Sequence, residues 1–177
     1  MKETVNAFDY AEVITKNFPN GLLLNTNHEK FNAMVIGWGA LGRTWQVPTF
    51  TVLVRENRYT KGALDATRAF TISVPLNGVV PEIVKTCGGR SVHNIDKVRE
   101  AGLTLEEPEV NGVPGVKEYP LTLECRVLYA QKQDLSLLPG DIVREMYPQD
   151  VDGTAPMANR DPHTVYVGEI VSAYIIK

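Results

Sequence analysis

"FNAMVIGWGALGRTWQVP" fills residues 31–48, and its reading decides the fold. Its first half, with Phe31, Val35 and Ile36, is a strand pattern. Its second half then spends Gly37, Gly39, Ala40 and Gly42, together with both tryptophans of the chain, Trp38 and Trp45. Alternate residues of a strand share a face. Phe31, Ala33, Val35, Gly37 and Gly39 therefore fall on one side; Asn32, Met34, Ile36, Trp38 and Ala40 fall on the other. Two glycines on one face leave bare backbone. Bare backbone admits a flat ligand to main-chain hydrogen bonds, with Trp38 and Trp45 as walls, or it marks a barrel corner whose tryptophans fill the core.

Working outward, strand signals dominate. "GLLLNT" at 21–26 precedes the polar turn "NHEK", so it pairs with the opening stretch as a hairpin. Further strand runs are "TFTVLVRE" at 49–56, "AFTISVP" at 69–75, "LTLECRVLYAQK" at 121–132 and "HTVYVGEIVSAYIIK" at 163–177. Helical signals are short. Thr60 is suited to cap a helix running to about Thr67. Pro81 suits a first helical position, with Ile83, Val84 and Cys87 as its apolar stripe. Ser91 is suited to cap "VHNIDKVREA", in which Val92, Ile95 and Val98 share a face and Gly102 ends the helix. Six or so strands with helices between them predict a closed or nearly closed antiparallel barrel. "NGVPG" at 111–115 is a turn. Residues 133–162 form a long loop or insertion with a short helix at "GDIVREMY".

Bulk properties narrow the function. The 177 residues suit one domain, 1–177, able to bury a core. Hydrophobic residues make up 44%, charged residues 22%, and the net charge is −3, which argues against a nucleic-acid binder. The charged N-terminus has no apolar core of a signal peptide, and no apolar run approaches the roughly 18 residues of a membrane span. Cys87 and Cys125 are too few for a disulfide framework or a zinc site, and no histidine pair sits at ligand spacing, so no metal is expected. A cytoplasmic protein with free thiols is the expectation.

Two basic clusters stand out. "VRENRYTKGA" places Arg55, Arg58 and Lys61 where a strand gives way to a helix, and helix N-termini with nearby arginines suit a phosphate. "CGGRSVHNIDK" repeats the pattern with Gly88, Gly89, Arg90 and Ser91, and sets His93 and Lys97 four apart on one helix face. The first cluster also reads as a solvated basic loop, the commoner fate of such a cluster, and the second as a glycine turn with an ordinary N-cap. His163 opens the last strand. No nucleophile elbow, P-loop or Rossmann glycine motif is present.

Taken together, "NAMVIGWGALGRTWQVP", "VRENRYT", "CGGRSVHNIDK", "LECRVLY" and "HTVYVGEIV" resemble the flavin reductase-like family with the FMN-binding split barrel, and most closely its flavoredoxin branch. The resemblance runs from about Phe18 to Ile176. It implies a mainly β fold, a six-stranded antiparallel Greek-key split barrel with short flanking helices, forming homodimers with FMN near the subunit interface. It implies that Asn32, Ala33, Met34, Val35 and Trp38 lie along the isoalloxazine. Arg55, Asn57, Arg58, Tyr59 and Thr60 would surround the ribityl chain and phosphate, with Ser91 and Lys97 at the phosphate end. His163 matches a histidine near flavin and nicotinamide, a positioning role rather than acid–base work.

The chain departs from the branch in three places. Val35 stands where threonine is usual, Asn57 where serine is usual, and Val92 and His93 replace a glycine and an arginine. The implied activity is hydride transfer from NAD(P)H to FMN, as a flavin reductase. An FMN electron carrier of the flavoredoxin kind, serving a redox protein partner without nicotinamide oxidation, is the second expectation. A non-enzymatic barrel binding a small molecule or partner is the third.

Overall fold

The structure is a computed structural model that describes residues 1–91, 93–152 and 160–177. In chain order the elements are β1 (Lys2–Thr4), α1 (Ala11–Asn17), β2 (Leu22–Asn27), β3 (Phe31–Ile36), β4 (Gly39–Thr44) and β5 (Val47–Arg55), then α2 (Tyr59–Thr67), β6 (Ala69–Val74), α3 (Pro81–Gly89), α4 (Lys97–Glu100), β7 (Leu105–Glu106), β8 (Gly115–Val116), β9 (Leu121–Lys132), α5 (Gly140–Met146) and β10 (His163–Ile176). Short 3-10 turns lie at Ala7–Tyr10 and Leu135–Leu137.

One antiparallel sheet carries the fold, in the order β3-β2-β6-β9-β10-β5-β4, with β1 added to the far end of β10. Its two end strands are β3 and β4, yet only Gly37 and Trp38 separate them in the chain. Three peptide steps reach at most about 11 Å. The sheet therefore curls until its ends nearly meet, giving the barrel. Among the described residues the principal sheet has eight strands rather than six: the opening stretch divides into β3 and β4, and β1 pairs with Tyr174–Ile176 of β10. β7 and β8 form a separate two-stranded ribbon.

The division corrects the single alternating strand expected over residues 31–40. β3 pairs with β2, whereas β4 pairs with β5. The glycines serve this corner. A Cβ on Gly39 would lie 2.6 Å from the Thr51 carbonyl oxygen and 2.9 Å from the Phe18 ring. One on Gly37 would press on the Phe18 carbonyl at 3.3 Å. The clearance is thus taken by protein atoms. Trp45 is not a wall beside Trp38. It sits at the tip of the β4–β5 hairpin, where Trp45 and Gln46 have φ of 50° and 65°, the left-handed pair that a two-residue hairpin turn requires. Trp45 is 59% exposed, and its ring packs against Tyr129, 6.3 Å between centroids.

The barrel interior is filled by Leu22, Leu24, Ile36, Phe50, Val52, Val54, Phe70, Ile72, Leu121, Leu123 and Tyr166, all buried. Gly168 of β10 is fitted to this core, since a Cβ there would meet the Phe70 ring at 2.6 Å. A second cluster lies outside the β2–β3 hairpin: Leu23, Ala33, Ile83, Cys87, Leu103 and Tyr119, with Phe31, Val35 and Val98 packed on it. β2 is therefore buried on both faces, which explains its unbroken apolar run. The buried carboxylate of Glu124 accepts from the main-chain N–H groups of Glu109, Val110 and Asn111, tying that loop to β9.

Helix starts differ from the expected caps. Arg58, not Thr60, is the N-cap of α2, and its side chain makes no capping hydrogen bond. Asp96, not Ser91, caps α4, accepting from the Arg99 N–H at 3.3 Å. Asp96 wins because its carboxylate reaches the third residue of the turn, the usual capping geometry. The helix is one turn long, so His93 and Lys97 share no helix face; Val92 lies outside the described residues. Pro81 does open α3, and α5 falls where "GDIVREMY" placed it. Among the described residues no helix is long and apolar enough to cross a membrane.

Candidate functional site

The corner between β3 and β4 brings Trp38 against the first residue of β10. The Trp38 and His163 rings are 5.0 Å apart, tilted by 41°. Tyr147, just past α5, joins them edge-on to His163 at 5.6 Å and 6.4 Å from Trp38. The Tyr147 hydroxyl lies 3.1 Å from His163 Nδ1 and donates to Gln133 Oε1 at 2.8 Å. His163 is 6% exposed. Burial drives its pKa down to about 4, and the neighbouring Arg55 charge adds to the fall. The ring is neutral at pH 7.

Sheet register carries the site onward. His163 stands opposite Arg55 at the end of β5. Asp161 binds both sides of the β5–α2 turn: it accepts from Arg55 Nε at 3.0 Å and from the Asn57 N–H at 2.9 Å. Arg58 lies near Arg55, and burial first, then that like charge, lowers its pKa. Arg58 is itself the N-cap of α2, a nine-residue helix, and its side chain makes no capping hydrogen bond. The first N–H groups of such a helix carry a partial positive charge.

β3 joins this helix start from the other side. The Asn32 amide donates to Thr60 Oγ1 at 2.9 Å, and Thr60 contacts the Met34 sulfur at 3.6 Å. Thr60 is buried and serves this contact. Tyr59 meets the His93 ring edge-on at 5.1 Å, which brings His93 beside α2; Ser91 Oγ accepts from the His93 N–H at 3.3 Å. The Tyr59 hydroxyl is buried with no hydrogen-bond partner among the described residues.

Lys97 is 4% exposed and lies under β3. Its ammonium donates to the carbonyls of Ala33 at 2.7 Å and Cys87 at 3.2 Å. Burial lowers its pKa to about 8. Val35 stands apart from the rest. Its side chain turns to the outer cluster, where its methyl groups lie against Gly21 and Gly88 in an apolar contact.

The fold therefore brings together Trp38, Arg55 and His163 at one end. Asn32, Ala33, Met34, Tyr59, Thr60, Ser91 and Lys97 gather at the other, and Asn57 and Arg58 stand between. Sequence reading missed Asp161, Gln133 and Tyr147. Asp161 carried a signal in "NRDP" just ahead of His163; Tyr147 and Gln133 carried none, because only the fold brings them to His163. Among the described residues no group of three His, Cys, Asp or Glu side chains is placed to hold a metal ion.

Comparison with known proteins completes the picture. A family described as the flavin reductase like domain matches residues 15–177. Flavoredoxin from Methanosarcina acetivorans is similar in structure with a TM-score of 0.63 and 25% identity, over 89% of this chain and 68% of that one. Flavoredoxin of Desulfovibrio vulgaris (Miyazaki F) has a TM-score of 0.64 at 23% identity, over 89% and 69%, a likeness of fold. An uncharacterized protein of Archaeoglobus fulgidus is 27% identical over 142 residues, 80% of this chain and 76% of its own length.

Proposed function

The chain belongs to the flavin reductase-like family, and from that premise we propose that it binds FMN and takes hydride onto it from NADH or NADPH. The observation that carries this reading is the continuity of the two ends just described. A helix start whose N-cap, Arg58, makes no side-chain capping bond, with Arg55 nearby, suits a phosphate, and β3 leads from it to an aromatic–imidazole pair suited to a flat ring. The residues fit the cofactor in a second respect. The orphaned Tyr59 hydroxyl is a buried polar group, which costs about 1–3 kcal/mol unless it finds a partner such as a ribityl or phosphate oxygen.

Bound FMN would supply the two-electron chemistry. The chain supplies the rest. The α2 N–H groups, Arg58 and the Asn57 side chain hold the phosphate end, with Ser91 beside them. Arg55, fixed by Asp161, sets the charge between the two ends. The main chain of residues 32–35 would hold the ring, and valine at 35 leaves any polar contact there to main-chain N–H. Lys97 holds that main chain from below through the Ala33 carbonyl. Trp38 would help hold the flavin, and neutral His163 would orient the nicotinamide without exchanging protons.

The protein acts as a homodimer in this reading, one domain of residues 1–177 per subunit. The exposed Trp45–Tyr129 pair supports an apolar contact between subunits. Titration of the purified protein with FMN tests the core of the proposal: flavin fluorescence should be quenched at micromolar FMN, and unchanged fluorescence would overturn it. The likeness to a flavoredoxin at 25% identity favours a second reading, an FMN carrier that exchanges electrons with a redox protein. Stopped-flow mixing with NADH and NADPH separates the two. Rapid bleaching of the flavin band belongs to the reductase, and its absence to the carrier.

A further inference from the structure

Gln133, Tyr147 and His163 form a closed set of hydrogen bonds whose proton positions follow from chemistry alone. Gln133 Oε1 accepts from the main-chain N–H of His163 at 3.2 Å. A main-chain N–H only donates, so this contact fixes which end of the amide is the oxygen. The same oxygen lies 2.8 Å from the Tyr147 hydroxyl. An amide oxygen only accepts, so the hydroxyl proton is committed to it. Tyr147 Oη also lies 3.1 Å from His163 Nδ1. With its one proton used, the hydroxyl can only accept there, and Nδ1 must carry the imidazole proton. A neutral imidazole has one N–H. Nε2 therefore keeps its lone pair, and it has no hydrogen-bond partner among the described residues.

We infer that Tyr147 and Gln133 are positioning residues that hold His163 in its Nδ1–H form, so that Nε2 accepts a hydrogen bond from an N–H group of a bound redox cofactor. The acceptor half rests on the function proposed above; the tautomer half does not. Two cofactor groups have the required chemistry, the imide N–H of the isoalloxazine and the carboxamide of the nicotinamide. Free histidine favours the proton on Nε2, so the inferred state is an inversion that the protein must enforce.

Long-range ¹H–¹⁵N spectra of the histidine-labelled full chain without flavin test the first half at neutral pH. His28→Gln and His93→Gln variants identify the His163 signals by elimination. Nδ1 should resonate as a protonated nitrogen and Nε2 as an unprotonated one; the reverse pattern overturns the inference. Tyr147→Phe should return the proton to Nε2. Gln133→Ala should do the same, because the freed tyrosine proton then turns to Nδ1. Gln133→Glu keeps an acceptor for both donors and should preserve Nδ1–H. A role in packing alone would not separate the last two variants, and a tautomer unmoved by all three overturns the positioning role. FMN and then NAD⁺ are next added to the wild type. A change in the Nε2 signal with FMN alone assigns the imide, and a change only after NAD⁺ assigns the carboxamide. No change with either overturns the acceptor role. If FMN fails to bind, the proposed function and the acceptor role fall together, while the tautomer result in the flavin-free chain stands.

Discussion

The Lys97 ammonium donates to the Ala33 carbonyl at 2.7 Å from beneath strand β3. It joins α4 to the strand that leads into the candidate site, and it also reaches the Cys87 carbonyl at the end of α3. One cation thus holds three elements. Its desolvation is visible as a pKa lowered to about 8.

Replacing Lys97 with Met removes the donor from two buried carbonyls. The expected loss is on the order of 1–3 kcal/mol per group left unpaired, measured by urea denaturation at neutral pH. The pH dependence has a definite sign. The folded group titrates near 8 and the unfolded one at 10.5. Between those values the unfolded chain holds more protons, so the contribution of Lys97 to stability rises with pH over that window. Below about 8 it is flat, because both states are charged. The difference between wild type and Lys97→Met should therefore grow from about pH 8 to about pH 10.

Trp38→Ala removes the aromatic surface that meets His163. FMN affinity should fall by about 0.5–3 kcal/mol, roughly 2- to 150-fold in Kd. Fluorescence titration of the two proteins checks it. Circular dichroism separates loss of binding from loss of fold: unchanged affinity with a weakened fold would assign Trp38 to packing. Trp38→Phe should retain most of the affinity.

The strands were legible in the sequence wherever one face meets the core. β9 and β10 keep their expected bounds within a residue, and the β2–β3 hairpin forms around the polar turn at 28–30. The break at residues 37–38 was not legible. A strand that continues and a strand that turns into the next barrel edge have the same apolar pattern, and only the position of Phe18, nineteen and twenty-one residues before the glycines, distinguishes them. Caps were misjudged for a related reason. Thr60 is a good cap by residue type, but Asn32 and Met34 draw its hydroxyl into a tertiary contact. Within the candidate site, the basic clusters announced themselves through composition. Tyr147 did not, because its bonds to Gln133 and His163 span 14 and 16 residues with no periodic relation.

His163 makes the acid response predictable. Its folded pKa is near 4 and its unfolded value 6.5. Between them the unfolded chain takes up the proton and the folded chain does not. Stability from this group is complete above about pH 6.5 and is lost as pH falls toward 4, by up to about 3 kcal/mol. Urea midpoints at about pH 7 and about pH 4.5 should differ more in the wild type than in His163→Gln, which cannot titrate. Equal differences would mean that His163 takes up its proton as readily in the folded protein as in the unfolded chain.

Two glycine substitutions should move stability in opposite directions. Gly39 sits at the barrel corner, where a Cβ would come within 2.6 Å of the Thr51 carbonyl oxygen and 2.9 Å of the Phe18 ring. The backbone oxygen belongs to the β4–β5 ladder and cannot retreat without breaking it. Gly39→Ala should cost about 1–3 kcal/mol, the usual range for overpacking. Gly62 lies inside α2 with nothing within 4 Å of its added Cβ. Gly62→Ala should add about 0.5–1 kcal/mol, since alanine loses less backbone entropy on entering a helix. Thermal unfolding of both variants reads the two signs directly. Because Gly62 follows Thr60 by only two residues, a stabilised α2 should leave FMN affinity unchanged if the helix start is already formed in the free protein. A gain in affinity would instead show that the phosphate end becomes ordered on binding.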